Sequence, residues 1–399
     1  PPDRLSMGIR ISGHKAFPQA LSGRESAGGR FRALPSERRF PTGRVVGAWT
    51  RSNWKPSLRR SASTPRSVPF ANGGRLVLAS RTEAVNFSSP KKRPLLLYGH
   101  LAEQLMFTGT YTAIVTPFRD GKLDEPALAN VIKAQIKGGV DGIVPVGTTG
   151  ESPTLSYEEH VRVIDLAVKF ARRKIKVLAG TGANSTAEAI YLTRAAEDAG
   201  ADGSLQVAPY YNKPTQEGLF QHFQAIARAT RLPLVLYSIP GRCGIEIGVD
   251  TVARLRRACR NIVGIKEAGG NADRVSQLRA ALPASFTILS GDDSLTLPFM
   301  AVGARGVISV ASNVVPREVA NMVRAFAAGK TSAALKLHEK LYPLFKDLFI
   351  ESNPGPVKAA LAMMGLINEE IRLPLVSIST KSREVLLAAM KRSGVKTVP

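Results

Sequence analysis

A lysine stands near the end of an apolar run, "NIVGIKEAGG", at residues 261–270. If this run is a strand, the two-residue period of strand side chains places Lys266 on one face with Ile262 and Gly264. Desolvating an ammonium is costly, so a lysine on a buried strand needs a partner or a purpose. A structural ion pair with an acid is one explanation. The other is nucleophilic chemistry, because burial disfavours the charged form and a neutral amine can form a Schiff base with a ketone.

Other polar residues follow apolar runs in the same way. The segments concerned are "GTTGES" with Thr148 and Thr149, "PYYNKP" with Tyr210 and Tyr211, "LYSIPGRCG" with Tyr237 and Arg242, and "SGDD" at 290–293. Taken singly, each has a structural explanation as a tight turn, a packed ring or a surface charge. Taken together, they supply hydroxyl groups for proton transfer and a guanidinium for a carboxylate. The combination favours one site for carbonyl chemistry.

The elements that would position these residues alternate regularly from Met106 onward. Eight β-rich runs, at 110–118, 142–147, 176–182, 203–210, 233–240, 262–268, 286–291 and 306–312, alternate with amphipathic segments. The pairs Ser156/Glu159 and Ser185/Glu188 have capping-box spacing at two helix starts. The alternation predicts a (β/α)8 TIM barrel over residues 106–330, with its active site at the carboxyl ends of the strands. The absence of a GxGxxG or GxxxxGK[ST] motif argues against a nucleotide-binding sheet.

The flanking parts differ from the barrel in composition. Residues 331–399 show only helical patterns and predict a C-terminal three-helix appendage. Residues 1–105 are rich in Arg, Ser, Pro and Gly and predict a disordered extension. Three interpretations of this extension stay open: sequence upstream of the true start at Met106, an organellar transit peptide, or a basic binding arm. We expect a cytoplasmic protein, or an organellar one if the extension is a transit peptide.

The charge and the cysteine and histidine content exclude several classes of function. The net charge of +24 suggests nucleic acid, but residues 1–105 alone hold 19 Lys and Arg against 5 Asp and Glu, so we predict no nucleic-acid partner for the barrel. No apolar run reaches the roughly 18 residues that cross a bilayer, which predicts no membrane span. Cys243 and Cys259 form no CxxC pair, and both are expected to stay reduced. The five histidines show no metal-ligand spacing, so we predict neither metal nor cofactor.

The motifs "GTTGES", "PYYNKPTQEGLFQHF", "LYSIPGR", "GIKEA", "SGDD" and "GVISV", in this order, resemble the dihydrodipicolinate synthase family. The resemblance extends from about Met106 to the C-terminus, and it implies a lyase of the class I aldolase type. Such an enzyme condenses pyruvate with L-aspartate 4-semialdehyde and makes the 4-hydroxy-tetrahydrodipicolinate used for diaminopimelate and lysine. Two related groups are the alternatives, N-acetylneuraminate lyases and 2-keto-3-deoxy sugar-acid aldolases. Arg242 together with "YYNKP" favours the first reading, because a guanidinium suits a small aldehyde that carries a carboxylate.

The resemblance also assigns roles to individual residues. Lys266 would form the Schiff base, and Tyr237, Thr148 and Tyr211 would relay protons. Tyr211 would reach in from a neighbouring subunit, which requires at least a dimer; a homotetramer built as a dimer of dimers is usual in the family. Thr149 would bind the pyruvate carboxylate and Arg242 that of the semialdehyde. Gly291 and Ile308 match backbone positions near the lysine.

A site for the feedback inhibitor L-lysine is implied by five further matches, which are Ser152, His160, Asn184, Glu188 and Tyr210. Several positions depart from the family pattern. Ser238 stands where Asn is usual, Cys243 where Thr or Ser is frequent, and Gly269 where Thr is common. Pro153 and Tyr157 differ from the commonest enterobacterial form of the lysine site. We expect these changes to tune the pockets rather than abolish the chemistry.

Overall fold

A computed structural model describes residues 106–398 of the chain. Its strands are β1 (Gly109–Ala113), β2 (Phe118–Arg119), β3 (Lys122–Leu123), β4 (Gly142–Val144), β5 (Lys176–Gly180), β6 (Gly203–Val207), β7 (Leu234–Ser238), β8 (Ile262–Glu267), β9 (Thr287–Ser290) and β10 (Gly306–Ser309). Its α-helices are α1 (Glu125–Gly138), α2 (Tyr157–Ala171), α3 (Thr186–Asp198), α4 (Gln216–Arg228), α5 (Pro240–Cys243), α6 (Val249–Ala258), α7 (Ala272–Ala281), α8 (Thr296–Ala301), α9 (Pro316–Ala327), α10 (Thr331–Asp347), α11 (Gly355–Met363) and α12 (Thr380–Arg392). Within the described residues, no helix combines the length and apolarity that a membrane crossing needs.

Eight parallel strands close into a barrel in the order β1-β10-β9-β8-β7-β6-β5-β4. The barrel closes where β1 pairs with β10, with Gly109 opposite Gly306, and with β4, with Tyr111 opposite Gly142. The remaining strands, β2 and β3, form a small antiparallel hairpin outside the barrel. Because all barrel strands run in one direction, their carboxyl ends meet at one rim. The predicted TIM barrel is confirmed.

Two apolar cores stabilise this barrel. The inner core fills its interior with side chains from successive strands, among them Tyr111, Val144, Leu178, Leu205 and Ile308. The outer core lies between the sheet and the surrounding helices and is the larger of the two. Strands buried on both faces read as nearly continuous apolar runs, which is why the sequence pattern indicated a barrel.

Both predicted helix caps are present, one as a full capping box and the other as its N-cap half. Ser156 and Glu159 form the full capping box at the start of α2, with each side chain bonded to the other's backbone N–H. At α3, the Ser185 hydroxyl accepts the Glu188 N–H at 3.4 Å, which is the N-cap half of the motif. These caps set where each helix begins and therefore how long the preceding loop at the rim is.

The structure refines the predicted strand boundaries. Every barrel strand ends before its predicted run does. The turns Thr148–Gly150 and Ala311–Asn313 and the short helix α5 follow β4, β10 and β7 at the rim. The face assignment of Ile262 was wrong. A register shift between Leu234 and Val235 places Ile262 in the outer core and packs Val263 against the inner one.

The three predicted C-terminal helices are present as α10, α11 and α12. The boundary drawn at residue 330 between a barrel domain and a helical region stays a prediction. The predicted disorder of residues 1–105 lies outside the described residues.

Candidate active site

Lys266 lies near the carboxyl end of β8, inside the barrel, and only 6% of its surface is exposed. Its strand neighbours are Tyr237 on β7 and Leu289 on β9. The amine Nζ lies 4.1 Å from the centroid of the Tyr237 ring. Glu267, the next residue, points to the opposite face and pairs with Arg274 at 2.8 Å. Within residues 106–398, no acid forms an ion pair with Lys266, so the ion-pair explanation of this lysine fails.

A second buried lysine gives the opposite picture. Lys358 on α11 is 1% exposed, forms an ion pair with Glu151 and donates to the Glu370 carbonyl at 2.8 Å. Burial lowers the pKa of Lys358, and the Glu151 carboxylate opposes that shift. A lysine whose donors are committed in this way is not available as a nucleophile. Of these two buried lysines, Lys266 is the one whose side chain lines a cavity.

This cavity is small, about 50 Å³, and lies at the rim. Six predicted site residues line it, namely Lys266, Tyr237, Thr148, Thr149, Arg242 and Gly291. A wider cavity of about 220 Å³ adjoins it and shares Thr148, Tyr237 and Arg242 in its lining. The structure therefore brings together, in one cleft, predicted groups from the ends of four strands, β4, β7, β8 and β9.

Thr148 and Thr149 open the turn that follows β4. Thr148 is half-buried, while Thr149 is 2% exposed. The Asn353 amide donates to Thr149 Oγ1 at 3.0 Å, and Arg242 Nη2 donates to the Asn353 carbonyl at 3.3 Å. Asn353 thus connects a hydroxyl and a guanidinium that come from different strand ends.

Glycine at position 291 makes room for the lysine chain. A Cβ built there would lie 3.0 Å from Lys266 Cε and 2.6 Å from Ala268 Cβ. A side chain at this position would displace the amine, so glycine is required for packing. Ile308 is fully buried in the inner core, in the same cluster as Tyr237 and Leu289, and it lines neither cavity.

Gly269 and Gly270, which follow the lysine strand, have separate explanations. The Gly269 N–H donates to Glu267 Oε1 at 2.8 Å, and a Cβ at 269 would lie 2.7 Å from that same oxygen. Gly270 has φ +80°, in the left-handed region that favours glycine. Burial raises the pKa of Glu267, and the Arg274 guanidinium opposes that rise.

Tyr211 is the one predicted catalytic residue that lies away from this chain's cleft. Its side chain is 90% exposed, and its backbone has φ 73°. A left-handed, non-glycine residue that presents a bare aromatic ring is unusual for an isolated subunit. The prediction that it serves a neighbouring subunit stays a prediction.

Four of the five residues predicted for inhibitor binding have a link to Tyr210 or to the wider cavity that it lines. Ser152 and Tyr210 line the wider cavity, and Asn184 donates to the Tyr210 carbonyl at 3.2 Å. Burial, and then the nearby Glu188 charge, raise the pKa of the Tyr210 phenol. His160 is buried and bonds through Nε2 to the Gly180 carbonyl at 2.8 Å, and burial lowers its pKa.

Cys243 contributes to the wider cavity, and both cysteines are free and buried. The Cys243 thiol donates to the Ala208 carbonyl at 3.2 Å, and burial raises the pKa of this thiol to about 11. It is therefore an inert thiol that occupies the space of a small polar residue. Among the described residues, no group of three or more His, Cys, Asp or Glu side chains is arranged to hold a metal ion.

Sequence reasoning missed the residues that close the cleft from the C-terminal side. Phe349 and Asn353 line the small cavity, although they follow α10 and lie far from the barrel strands in sequence. The only signal was the proline-flanked "ESNPGPVK", which interrupts the helical pattern at 351–358.

The structure is a parallel barrel, and at its carboxyl rim a buried lysine without an acid partner among the described residues lies beside a tyrosine. These are the features of a lysine-dependent aldolase. The model of the dihydrodipicolinate synthetase family matches residues 106–393. The 4-hydroxy-tetrahydrodipicolinate synthase of Syntrophus aciditrophicus is 53% identical over 290 residues, which are 73% of this chain and 99% of that protein. The chain belongs to the dihydrodipicolinate synthetase family.

Two solved structures are similar as well. The 4-hydroxy-tetrahydrodipicolinate synthase of Methylacidiphilum fumariolicum SolV is 58% identical with a TM-score of 0.72, and the match covers 72% of this chain and 96% of that one. A lysine-bound structure from Cyanidioschyzon merolae is 40% identical with a TM-score of 0.71, covering 73% of this chain and 99% of that one.

Proposed function

We propose that this chain condenses pyruvate with L-aspartate 4-semialdehyde, in the 4-hydroxy-tetrahydrodipicolinate synthase reaction that leads to diaminopimelate and lysine. The observation that carries the proposal is Lys266, which is buried, free of any acid partner within the described residues, and next to a cavity that it shares with Tyr237 and Arg242. Membership of the family and the 53% identity to a relative of that activity support the same reaction.

In the first stage, the Lys266 amine adds to the pyruvate ketone to give a carbinolamine. Loss of water gives an iminium, which withdraws electrons from the methyl carbon. That carbon then loses a proton and becomes an enamine nucleophile. The Tyr237 and Thr148 hydroxyls, which line the small cavity with the amine, are our candidates for moving these protons.

In the second stage, the enamine carbon attacks the aldehyde carbon and the new alkoxide takes up a proton. The amine of the semialdehyde then attacks the iminium carbon and displaces the Lys266 amine. The ring closes and the enzyme returns to its starting state. Thr149 would hold the pyruvate carboxylate. Arg242, which lines both cavities, would hold the carboxylate of the aldehyde.

The proposal includes an assembly of at least two subunits, with a tetramer as the expected form. Tyr211, 90% exposed and held at φ 73°, supports this, because the ring has the exposure needed to enter a partner's cleft. We further propose that L-lysine binds around Ser152, His160, Asn184, Glu188 and Tyr210. The lysine-bound relative supports such binding, and the Glu188 carboxylate is suited to an ammonium.

Borohydride trapping tests the central step. Reduction in the presence of pyruvate should add the mass of a reduced pyruvyl group to the peptide that contains Lys266, and Lys266→Ala should abolish both the adduct and turnover. Active protein without that adduct contradicts the mechanism. Turnover of the semialdehyde, compared with N-acetylneuraminate and 2-keto-3-deoxygluconate, separates the proposed reaction from those of the sugar-acid aldolases.

A further inference from the structure

The turn that carries Thr148 and Thr149 ends on a residue in an unfavourable conformation. Glu151 has φ 56° and ψ 35°, and its N–H bonds to the Thr148 carbonyl at 3.2 Å. The left-handed region costs a non-glycine residue free energy, so something must hold Glu151 there. Its carboxylate is fully buried, which adds the cost of desolvating a charge.

Groups from the C-terminal helical part of the chain offset both the conformational cost and the desolvation cost of Glu151. Lys358 Nζ forms an ion pair with one Glu151 oxygen, and the Arg372 N–H donates to the other at 3.0 Å. Lys358 is itself held by the Glu370 carbonyl at 2.8 Å. The turn is thus fixed by groups more than 200 residues later in the chain.

An aromatic ring and a second ion pair reinforce this contact. The Phe118 ring contacts two cations, with Lys358 Nζ 4.3 Å and Arg372 Cζ 4.1 Å from its ring centroid. The Arg372 guanidinium forms two bonds to Glu159, at 2.6 and 2.7 Å. The Lys358 ammonium thus contacts the Phe118 ring and the Glu370 carbonyl in addition to the Glu151 carboxylate.

A buried ion pair is an inefficient way to stabilise a fold, because desolvation consumes most of the Coulombic gain and an apolar pair of equal volume serves as well or better. Its location therefore points to a different purpose. Asn353, five residues before Lys358, bonds to Thr149 of the same turn at 3.0 Å. The segment 353–358 thus holds the turn at two points, one through a hydroxyl of the cleft and one through the residue that ends the turn.

We propose that Lys358 is a positioning residue, whose ion pair with Glu151 holds the Thr148–Gly150 turn in the shape that receives the pyruvate carboxylate. This inference rests on the proposed function. Lys358 does not line either cavity of the cleft and so acts through the turn rather than on the substrate. Loss of the pair should weaken pyruvate binding selectively, while chemistry at saturating pyruvate continues.

The decisive variant is the double substitution Glu151→Leu/Lys358→Met, which removes both charges and retains an apolar pair of similar volume. We expect a folded protein whose KM for pyruvate rises at least about 10-fold, whose kcat stays within about 3-fold, and whose borohydride trapping at low pyruvate is slower. Lys358→Arg, which keeps the charge, should retain more of the pyruvate affinity. Glu369→Gln/Arg383→Gln removes a half-exposed ion pair in the same C-terminal part and is the matched control, with unchanged kinetics.

A double variant that folds and has the wild-type KM for pyruvate overturns the proposal, since the pair is then only structural. If that variant does not fold, Glu151→Asp, which shortens the carboxylate by one methylene, must show the same selective rise in KM, and a wild-type KM there overturns the proposal instead. Failure of the proposed function is a separate outcome. It would appear as wild-type protein that neither traps pyruvate on Lys266 nor consumes the semialdehyde.

Discussion

Lys266 and Tyr237 are direct register partners on adjacent strands, and the lysine Nζ lies 4.1 Å from the centroid of the tyrosine ring. The two side chains therefore share one wall of the cleft, and neither needs a loop movement to meet the other. Sites built on strands hold their geometry more closely than sites built on loops. The amine and the phenol form a preorganised pair.

Tyr237→Phe should separate the role of the hydroxyl from that of the ring. The ring packs in the inner core, so the fold should be retained. We expect kcat to fall roughly 100- to 10,000-fold, as for loss of a positioned acid–base group. Pyruvate should still be trapped on Lys266, but slowly. Wild-type kcat in the folded variant would remove Tyr237 from the proton transfers.

Substitution of Arg242 should affect the second substrate and spare the first. Arg242→Gln is expected to raise the KM for the semialdehyde about 10- to 100-fold, the size of one lost hydrogen-bonded charge contact, with the KM for pyruvate nearly unchanged. Arg254→Gln, which removes an exposed arginine paired with Glu217 at 2.7 Å, is the control and should be silent. An equal rise in both KM values would contradict the assigned role.

Tyr211 can be tested by mixing two inactive variants. Lys266→Ala subunits supply Tyr211, and Tyr211→Phe subunits supply Lys266. If the tyrosine serves the partner's cleft, co-assembled mixtures should recover about a quarter of wild-type activity, because half of random dimers are mixed and each has one complete site. Unassembled mixtures give the baseline. Activity no higher than that baseline after co-assembly would show that Tyr211 is not shared.

Gly269→Thr should destabilise the protein by roughly 1–3 kcal/mol, the usual cost of overpacking. The new Cβ would lie 2.7 Å from Glu267 Oε1 and disturb the buried pair with Arg274. Gly241→Ala is the control, since a Cβ there meets nothing within 4 Å. Denaturant unfolding measures both variants, and equal stability of Gly269→Thr and wild type would show that the Glu267 side chain relaxes freely.

The pH dependence of stability should contain a contribution from His222. Burial lowers its pKa to about 4, and Thr186 bonds its Nδ1 at 2.8 Å while Nε2 has no partner. The unfolded chain binds this proton near pH 6.5 and the folded chain only near pH 4, so stability is lost as pH falls through that window. The loss from this group is about 3 kcal/mol. His222→Gln should show a shallower decline of unfolding free energy between these pH values, and an identical decline would contradict the buried neutral state.

The sequence was sufficient for the barrel because strands covered on both faces leave continuous apolar runs, and the polar residues that interrupt those runs fall at one rim. Lys266, Tyr237, Thr148 and Arg242 were found in this way. Boundaries were less accurate, since apolar residues continue into the turns beyond the strands. The face of Ile262 was wrong because β7 and β8 slip in register at Leu234/Val235. Asn353 and the Glu151–Lys358 pair escaped prediction because their partners lie about 200 residues away, and no local period reports such a contact.

The Asn353–Thr149 bond joins residues that are 204 positions apart in the chain. During synthesis the ribosome therefore releases every barrel strand, with its lysine and tyrosine, before the residue that closes the cleft has emerged. A nascent barrel at that stage would hold its amine in an open cleft, without the wall formed by Phe349 and Asn353. We therefore expect this chain to become competent for catalysis when its last helices dock, after the barrel has closed.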